Sequence, residues 1–172
     1  TTATFNFTGT TGVTWTNGSL LGGGTLTNES KISLVTGGSR YISGGTTLAN
    51  KGTVTMPNGG YLYLYDTSIF NNMVSGIFDL QSDAYVSYNG DGAHSFNNFG
   101  LLKKTGGDNA SYFYSKMTNT GTISVENGTL DMYYYGKNFN GGIYNVASGS
   151  TLLVSTTGMV VSGTLTGTLN GA

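Results

Sequence analysis

Short stretches in which apolar and polar residues alternate recur along the chain. The clearest copies open on a glycine: Gly52-Thr-Val54-Thr-Met56, Gly76-Ile-Phe78-Asp-Leu80, Gly100-Leu-Leu102-Lys-Lys104, Gly121-Thr-Ile123-Ser-Val125, Gly142-Ile-Tyr144-Asn-Val146 and Gly163-Thr-Leu165-Thr-Gly167. Their spacings are 24, 24, 21, 21 and 21 residues, with a weaker copy at Ser30-Lys-Ile32-Ser-Leu34. Alternation with period two predicts strands with one buried face. Lys104 and Gly167 interrupt the apolar phase. A second alternating stretch follows most copies after a Gly- or Asx-containing turn, as in Gly60-Tyr-Leu-Tyr-Leu-Tyr65, Asp83-Ala-Tyr-Val-Ser-Tyr88 and Ala110-Ser-Tyr-Phe-Tyr114. No stretch has helical periodicity.

An asparagine precedes every copy but the last, at Asn28, Asn50, Asn72, Asn98, Asn119 and Asn140. Leu26, Leu48, Phe70, Phe96 and Met117 lie two residues before the first five; the sixth copy departs, with Asn138 there and Phe139 one later. Each unit therefore holds two or three short strands in roughly 21–24 residues. Such a unit cannot bury its apolar side alone, but stacked coils form a continuous core. The pattern predicts an all-β, single-stranded parallel β-helix, a β-solenoid of about seven coils. In that fold the repeated asparagines occupy an inward turn and hydrogen-bond from coil to coil as a ladder. The glycines after them are expected at turn positions with positive φ. An antiparallel sandwich is the competing architecture, but it gives no reason for the same Asn and Gly to recur every second or third strand.

The expected layout is one solenoid domain over residues 1–172. Residues 1–21 fit the repeat poorly and are expected to form an N-terminal cap with Trp15 in it; residues 22–172 form the stacked coils. The C-terminal Gly163–Ala172 still reads as coil sequence, which raises the expectation of an uncapped end. Such an end would favour end-to-end self-association or continuation in a longer chain.

Several motifs carry a family resemblance. They are Phe96-Asn-Asn-Phe-Gly-Leu-Leu-Lys-Lys104, Met117-Thr-Asn-Thr-Gly-Thr-Ile-Ser-Val-Glu-Asn-Gly-Thr-Leu130 and Gly142-Ile-Tyr-Asn-Val-Ala-Ser-Gly-Ser-Thr-Leu152. They resemble the FxNxGTxxxxxGxxxL and SGxFxVxxGxTL repeats of large bacterial surface and autotransporter-like, adhesin-type proteins, and Trp15–Leu26 resembles their opening coil. The resemblance implies a right-handed β-helix in a secreted or surface-displayed filamentous protein, often adhesive. It implies no shared catalytic residues.

Composition narrows the functions further. Gly, Ser, Thr and Asn make up just over half of the chain, yet 12 Tyr and 8 Phe argue for a packed core rather than disorder. Seven cations against eight acids exclude a nucleic-acid binder. No apolar run is long enough for membrane insertion, and the absence of cysteine excludes a disulfide scaffold.

β-Helix enzymes acting on polysaccharides use grouped carboxylates. Here Glu29, Asp66, Asp79, Asp83, Asp91, Asp108, Glu126 and Asp131 are spread along the chain, and turn or strand-face roles are the simpler reading. A lone His94 gives no metal signature and reads as an exposed loop residue; no cofactor is implied. The threonines do not keep one position per coil, so no ice-binding face is expected.

Tyrosine stands out. If Leu62 and Leu64 point inward, Tyr61, Tyr63 and Tyr65 point outward. The same phase sends Tyr112 and Tyr114 outward around Phe113, and Tyr133 outward after Met132, with Tyr135 near the following corner. Tyr85 or Tyr88 continues the row, with the phase open. The expectation is a non-enzymatic extracellular structural or adhesive module whose Tyr- and Asn-rich face binds a glycan or a cell-surface protein. A purely structural tyrosine row and a polysaccharide lyase or hydrolase are the alternatives.

Overall fold

The computed structural model describes residues 4–35, 38–90, 93–133, 137–155, 160–166 and 169–171. They form a parallel β-solenoid, with no helix among the described residues. Each coil lays one strand on each of three faces. The first face stacks Thr4–Phe7, Thr25–Asn28, Thr47–Asn50, Ile69–Asn72, Ser95–Asn98 and Met117–Asn119. The second stacks Val13–Thr14, Lys31–Ser33, Thr53–Met56, Ile77–Leu80, Leu101–Lys104 and Thr122–Val125. Lys137–Val146 runs without a break from the first face into the second and joins them into one 14-stranded sheet. The third face is an eight-stranded sheet that includes Gly18–Leu20, Ser39–Ile42, Gly60–Tyr65, Ala84–Asn89, Ala110–Phe113, Thr129–Asp131 and Thr151–Val154.

Every strand pairs in parallel with its counterpart one coil away, so equivalent residues stack: Leu26, Leu48, Phe70, Phe96 and Met117 form one register column. Parallel pairing repeats side chains about every 4.8 Å, close enough for flat rings to touch along the axis. Phe70 and Phe96 stack at 4.6 Å, and Phe78 meets both edge-on at 5.2 and 5.3 Å. These rings and the aliphatic columns around them are almost fully buried, and they form one continuous core. Val13, Trp15 and Leu20 pack against its N-terminal end. Within the segment read as a cap, Thr4–Phe7, Val13–Thr14 and Gly18–Leu20 are themselves a coil, paired in parallel with the next.

The repeat glycines correct one expectation. Gly52, Gly76, Gly100, Gly121 and Gly142 do not adopt positive φ. They are required because successive corners lie almost in contact. A Cβ on Gly100 would sit 2.2 Å from the Met73 carbonyl oxygen and 2.3 Å from that of Gly76, and one on Gly121 would sit 2.3 Å from the Gly100 oxygen. No side chain fits there without backbone movement. The longer spacing before Gly76 is taken up by a bulged corner, Met73–Ser75, that leaves Val74 84 % exposed.

Two cations point into the coil. Arg40 stands level with Leu62 in the inward column and is fully buried. Its guanidinium donates to the carbonyls of Trp15, Gly38 and Val35 at 3.2, 2.9 and 2.6 Å, and burial lowers its pKa from the usual value. Lys104, the residue that interrupts the apolar phase, is also fully buried. Its ammonium donates to Asp83 at 3.1 Å and to the carbonyls of Gly106 and Gly107 at 2.6 and 3.1 Å. Three acceptors match its three donors.

Candidate binding face

Tyrosines stack in two register columns on the outer surface of the third face. In one, Tyr61, Tyr85 and Tyr112 stand level with one another. Their rings stack at 4.7 and 5.3 Å. In the other, Tyr41 is level with Tyr63, and Tyr63 with Ser87. Tyr114 comes next, its N–H donating to the Val86 carbonyl at 2.8 Å, and Tyr133 then meets the Tyr114 ring edge-on at 5.2 Å. The columns are also bridged within strands: Tyr61 to Tyr63 at 5.4 Å and Tyr112 to Tyr114 at 5.8 Å, both stacked. Tyr65 closes one margin, edge-on to Tyr41 and Tyr63.

Among the described residues the result is one contact-linked array of eight rings across five coils, half-buried except for Tyr133, which is 43 % exposed. The alternation of Leu62, Leu64, Val86, Phe113 and Met132 on the buried side sets this phase. Tyr41 belongs to the array in addition to the expected members, and of the two residues left open Tyr85 continues the row. Tyr88 does not: it is level with the inward Leu64 and stacks on His94 at 4.4 Å. Tyr135 lies outside the described residues.

Partial burial, and then the neighbouring phenols Tyr61, Tyr41 and Tyr65, raise the pKa of Tyr63. Tyr114 is raised in the same way by burial, then by Tyr112, Tyr85, Tyr133 and Asp131. Both shifts favour the neutral phenol. Among its described outward strand positions the face carries one carboxylate, Asp131, and no cation.

The asparagines occupy the corner between the first and second faces. Asn28, Asn50, Asn72, Asn98 and Asn119 are fully buried. Each side-chain amide donates to the side-chain oxygen of the next, at 2.7, 2.8, 2.7 and 2.6 Å. From Asn28 to Asn98 the second amide hydrogen goes to a backbone carbonyl of the next coil, as from Asn72 to Leu101 at 3.0 Å. The row ends at Tyr144, whose hydroxyl accepts from Asn119 at 3.2 Å and donates to the Phe139 carbonyl at 2.9 Å. The pairing Met117–Lys137 and Thr118–Asn138 brings Phe139 level with Asn119, so the backbone register does not align Asn140 with the row. The Asn140 side chain lies outside the described residues.

The acids are dispersed. Asp79 lies on the second face, accepting from Thr105 at 2.8 Å and Gln81 at 3.0 Å, with the Lys103 ammonium at 3.5 Å. Asp83 lies at the following corner. Burial works to raise its pKa, but hydrogen bonds from Asn109 and Lys104 outweigh it and hold the carboxyl below the usual range. Glu29 pairs with Lys51 at an exposed corner, and Asp108 accepts from Asn127 at 3.1 Å. Asp66 adopts φ 54°, the left-handed region, at the turn after the third face. Asp131 stands level with Tyr112, and Asp91 lies outside the described residues.

His94 is buried rather than exposed: besides stacking on Tyr88, its Nε2 accepts the Lys116 N–H at 3.2 Å. Among the described residues no group of three or more His, Cys, Asp or Glu is arranged to hold a metal, and no helix is long and apolar enough to cross a membrane. Comparisons with protein-family models, curated proteins and solved structures find no match to this chain.

Proposed function

We propose that this solenoid is a non-enzymatic structural and adhesive module of a secreted or surface-displayed filamentous protein, of the kind formed by bacterial adhesin-type repeats, and that its tyrosine face binds neutral glycans. The observation that carries the reading is the eight-ring aromatic array, which stays half open to solvent although the solenoid already has a continuous core. Contiguous exposed aromatic surface commonly marks a contact site. Ring faces suit the C–H surfaces of sugars, and phenol, serine and asparagine groups at the edges can exchange hydrogen bonds with hydroxyls. The dispersal of the carboxylates, several of them tied into corner and strand contacts, favours a binding module over a lyase or hydrolase. Calorimetric titration with neutral oligosaccharides, on the parent chain and on Tyr63→Ala and Tyr114→Ala, tests this. Binding that both substitutions leave unchanged would overturn the assignment to this face.

A further inference from the structure

One tyrosine column has an internal vacancy. The Tyr61, Tyr85 and Tyr112 column has a ring at each of three successive coils. In the adjacent column Tyr41 and Tyr63 are followed by Ser87, and only then by Tyr114 and Tyr133. We infer that the Ser87 position is the seat for one pyranose ring of a neutral glycan. This rests on the glycan reading above and assigns it a subsite.

The geometry suits such an occupant. An open recess of about 460 Å³ lies here, lined by Ser87, Tyr88, Asn89, Gly90, Tyr114 and Tyr133, within the usual size range of small-ligand sites. The strands carrying Tyr63 and Tyr114 are two steps apart, about 9.6 Å at the parallel spacing. The recess is lined by Tyr114 and not by Tyr63, so a saturated ring seated there rests on the Tyr114 side of that interval, at a van der Waals contact of about 3.5–4 Å.

Tyr114 is already fixed. It lies parallel to Tyr85 at 6.4 Å and to Tyr112 at 5.8 Å, and Tyr133 meets it edge-on. Its same-column neighbour towards the N-terminus is a serine, so no ring from that position covers it. The rim supplies polar groups: the Ser87 hydroxyl, and Asn89, whose amide is held by donation to the Tyr65 hydroxyl at 2.8 Å. Gly90, at φ 100°, carries no side chain to close the recess. A wall already in place binds with little ordering cost. The described outward strand positions of this face carry no cation, which disfavours sulfated or carboxylated sugars.

The test uses cellohexaose, laminarihexaose, mannohexaose and chitohexaose, titrated calorimetrically at neutral pH into the parent chain, Ser87→Tyr and Ser87→Ala. Ser87→Tyr completes the column and occupies the seat; Ser87→Ala keeps the room. The expected result is binding of at least one hexaose by the parent chain, weakening by roughly tenfold or more in Ser87→Tyr, and retention within about threefold in Ser87→Ala (tenfold being about 1.4 kcal/mol). Amide shift mapping on the parent chain gives a readout independent of variant folding. The largest ligand-induced shifts should fall at Ser87, Asn89, Gly90 and Tyr114. Undiminished binding by Ser87→Tyr, or shifts centred on Tyr41 and Tyr61, would overturn the seat while leaving glycan binding by the face intact. Binding of none of the four by the parent chain would overturn both.

Discussion

The asparagine row and the tyrosine row repeat at the same interval, one side chain per coil, yet they stand in opposite relation to water. The asparagines are fully buried, each amide linked to the next over five coils and the last to Tyr144. Their hydrogen bonds point the same way along the row, so each polarises the next. The tyrosines are half open, touch mainly through ring faces and lack one member at Ser87. A buried polar row cannot tolerate a gap, because a missing member leaves its neighbours unpaired in a dry interior. A surface aromatic row can, because water or a ligand fills the space. The difference separates the row that holds the coils together from the row proposed for binding.

The largest expected effect comes from breaking the first row. Asn72→Ala would strand the Asn50 amide, the Asn98 side-chain oxygen and the Leu101 carbonyl, each costing about 1–3 kcal/mol. A loss of about 3–5 kcal/mol is expected in urea unfolding; a loss below about 1 kcal/mol would erase the contrast between the rows. Gly100→Ala comes next. Its methyl must displace the Met73 and Gly76 carbonyls, for about 1–3 kcal/mol as in an overpacked core, read from the same unfolding curves.

Tyr61→Ala should cost less, about 1–2 kcal/mol, since it removes stacking on Tyr63 and Tyr85 without leaving an unmet buried group. The smallest effect is on acidification. Asp83 is held below its unfolded pKa, so its contribution is present above about pH 4 and is lost as pH falls through the folded value. The urea midpoint should therefore fall below about pH 4, and fall less steeply in Asp83→Asn.

Much of this was legible from the chain because a solenoid writes its geometry as a repeat. The period-two phase around Leu62, Leu64 and Phe113 is enough to send Tyr61, Tyr63, Tyr65, Tyr112 and Tyr114 to the outside. Tyr41 escaped that reasoning because its strand carries Arg40 at the inward position, where an apolar residue would have announced the phase. The recurrence of Gly52, Gly76 and Gly100 is plain in the sequence, but recurrence does not distinguish a left-handed turn from a corner with no room for a Cβ. Asn140 follows the asparagine spacing, yet spacing cannot register the irregularity between Asn140 and Gly142 in the long strand there. His94 looked like a loop residue because nothing local shows that Tyr88 turns inward to stack on it. The Ser87 vacancy became visible only once the strands were set in register.

The most direct measurement pairs binding with stability in one variant. Tyr114→Ala removes the ring at the centre of the proposed site and leaves the asparagine row untouched. Titrated with the four hexaoses, it is expected to bind at least tenfold more weakly than the parent chain, while its urea midpoint corresponds to a loss of no more than about 2 kcal/mol. Unchanged affinity in a folded Tyr114→Ala would contradict the account.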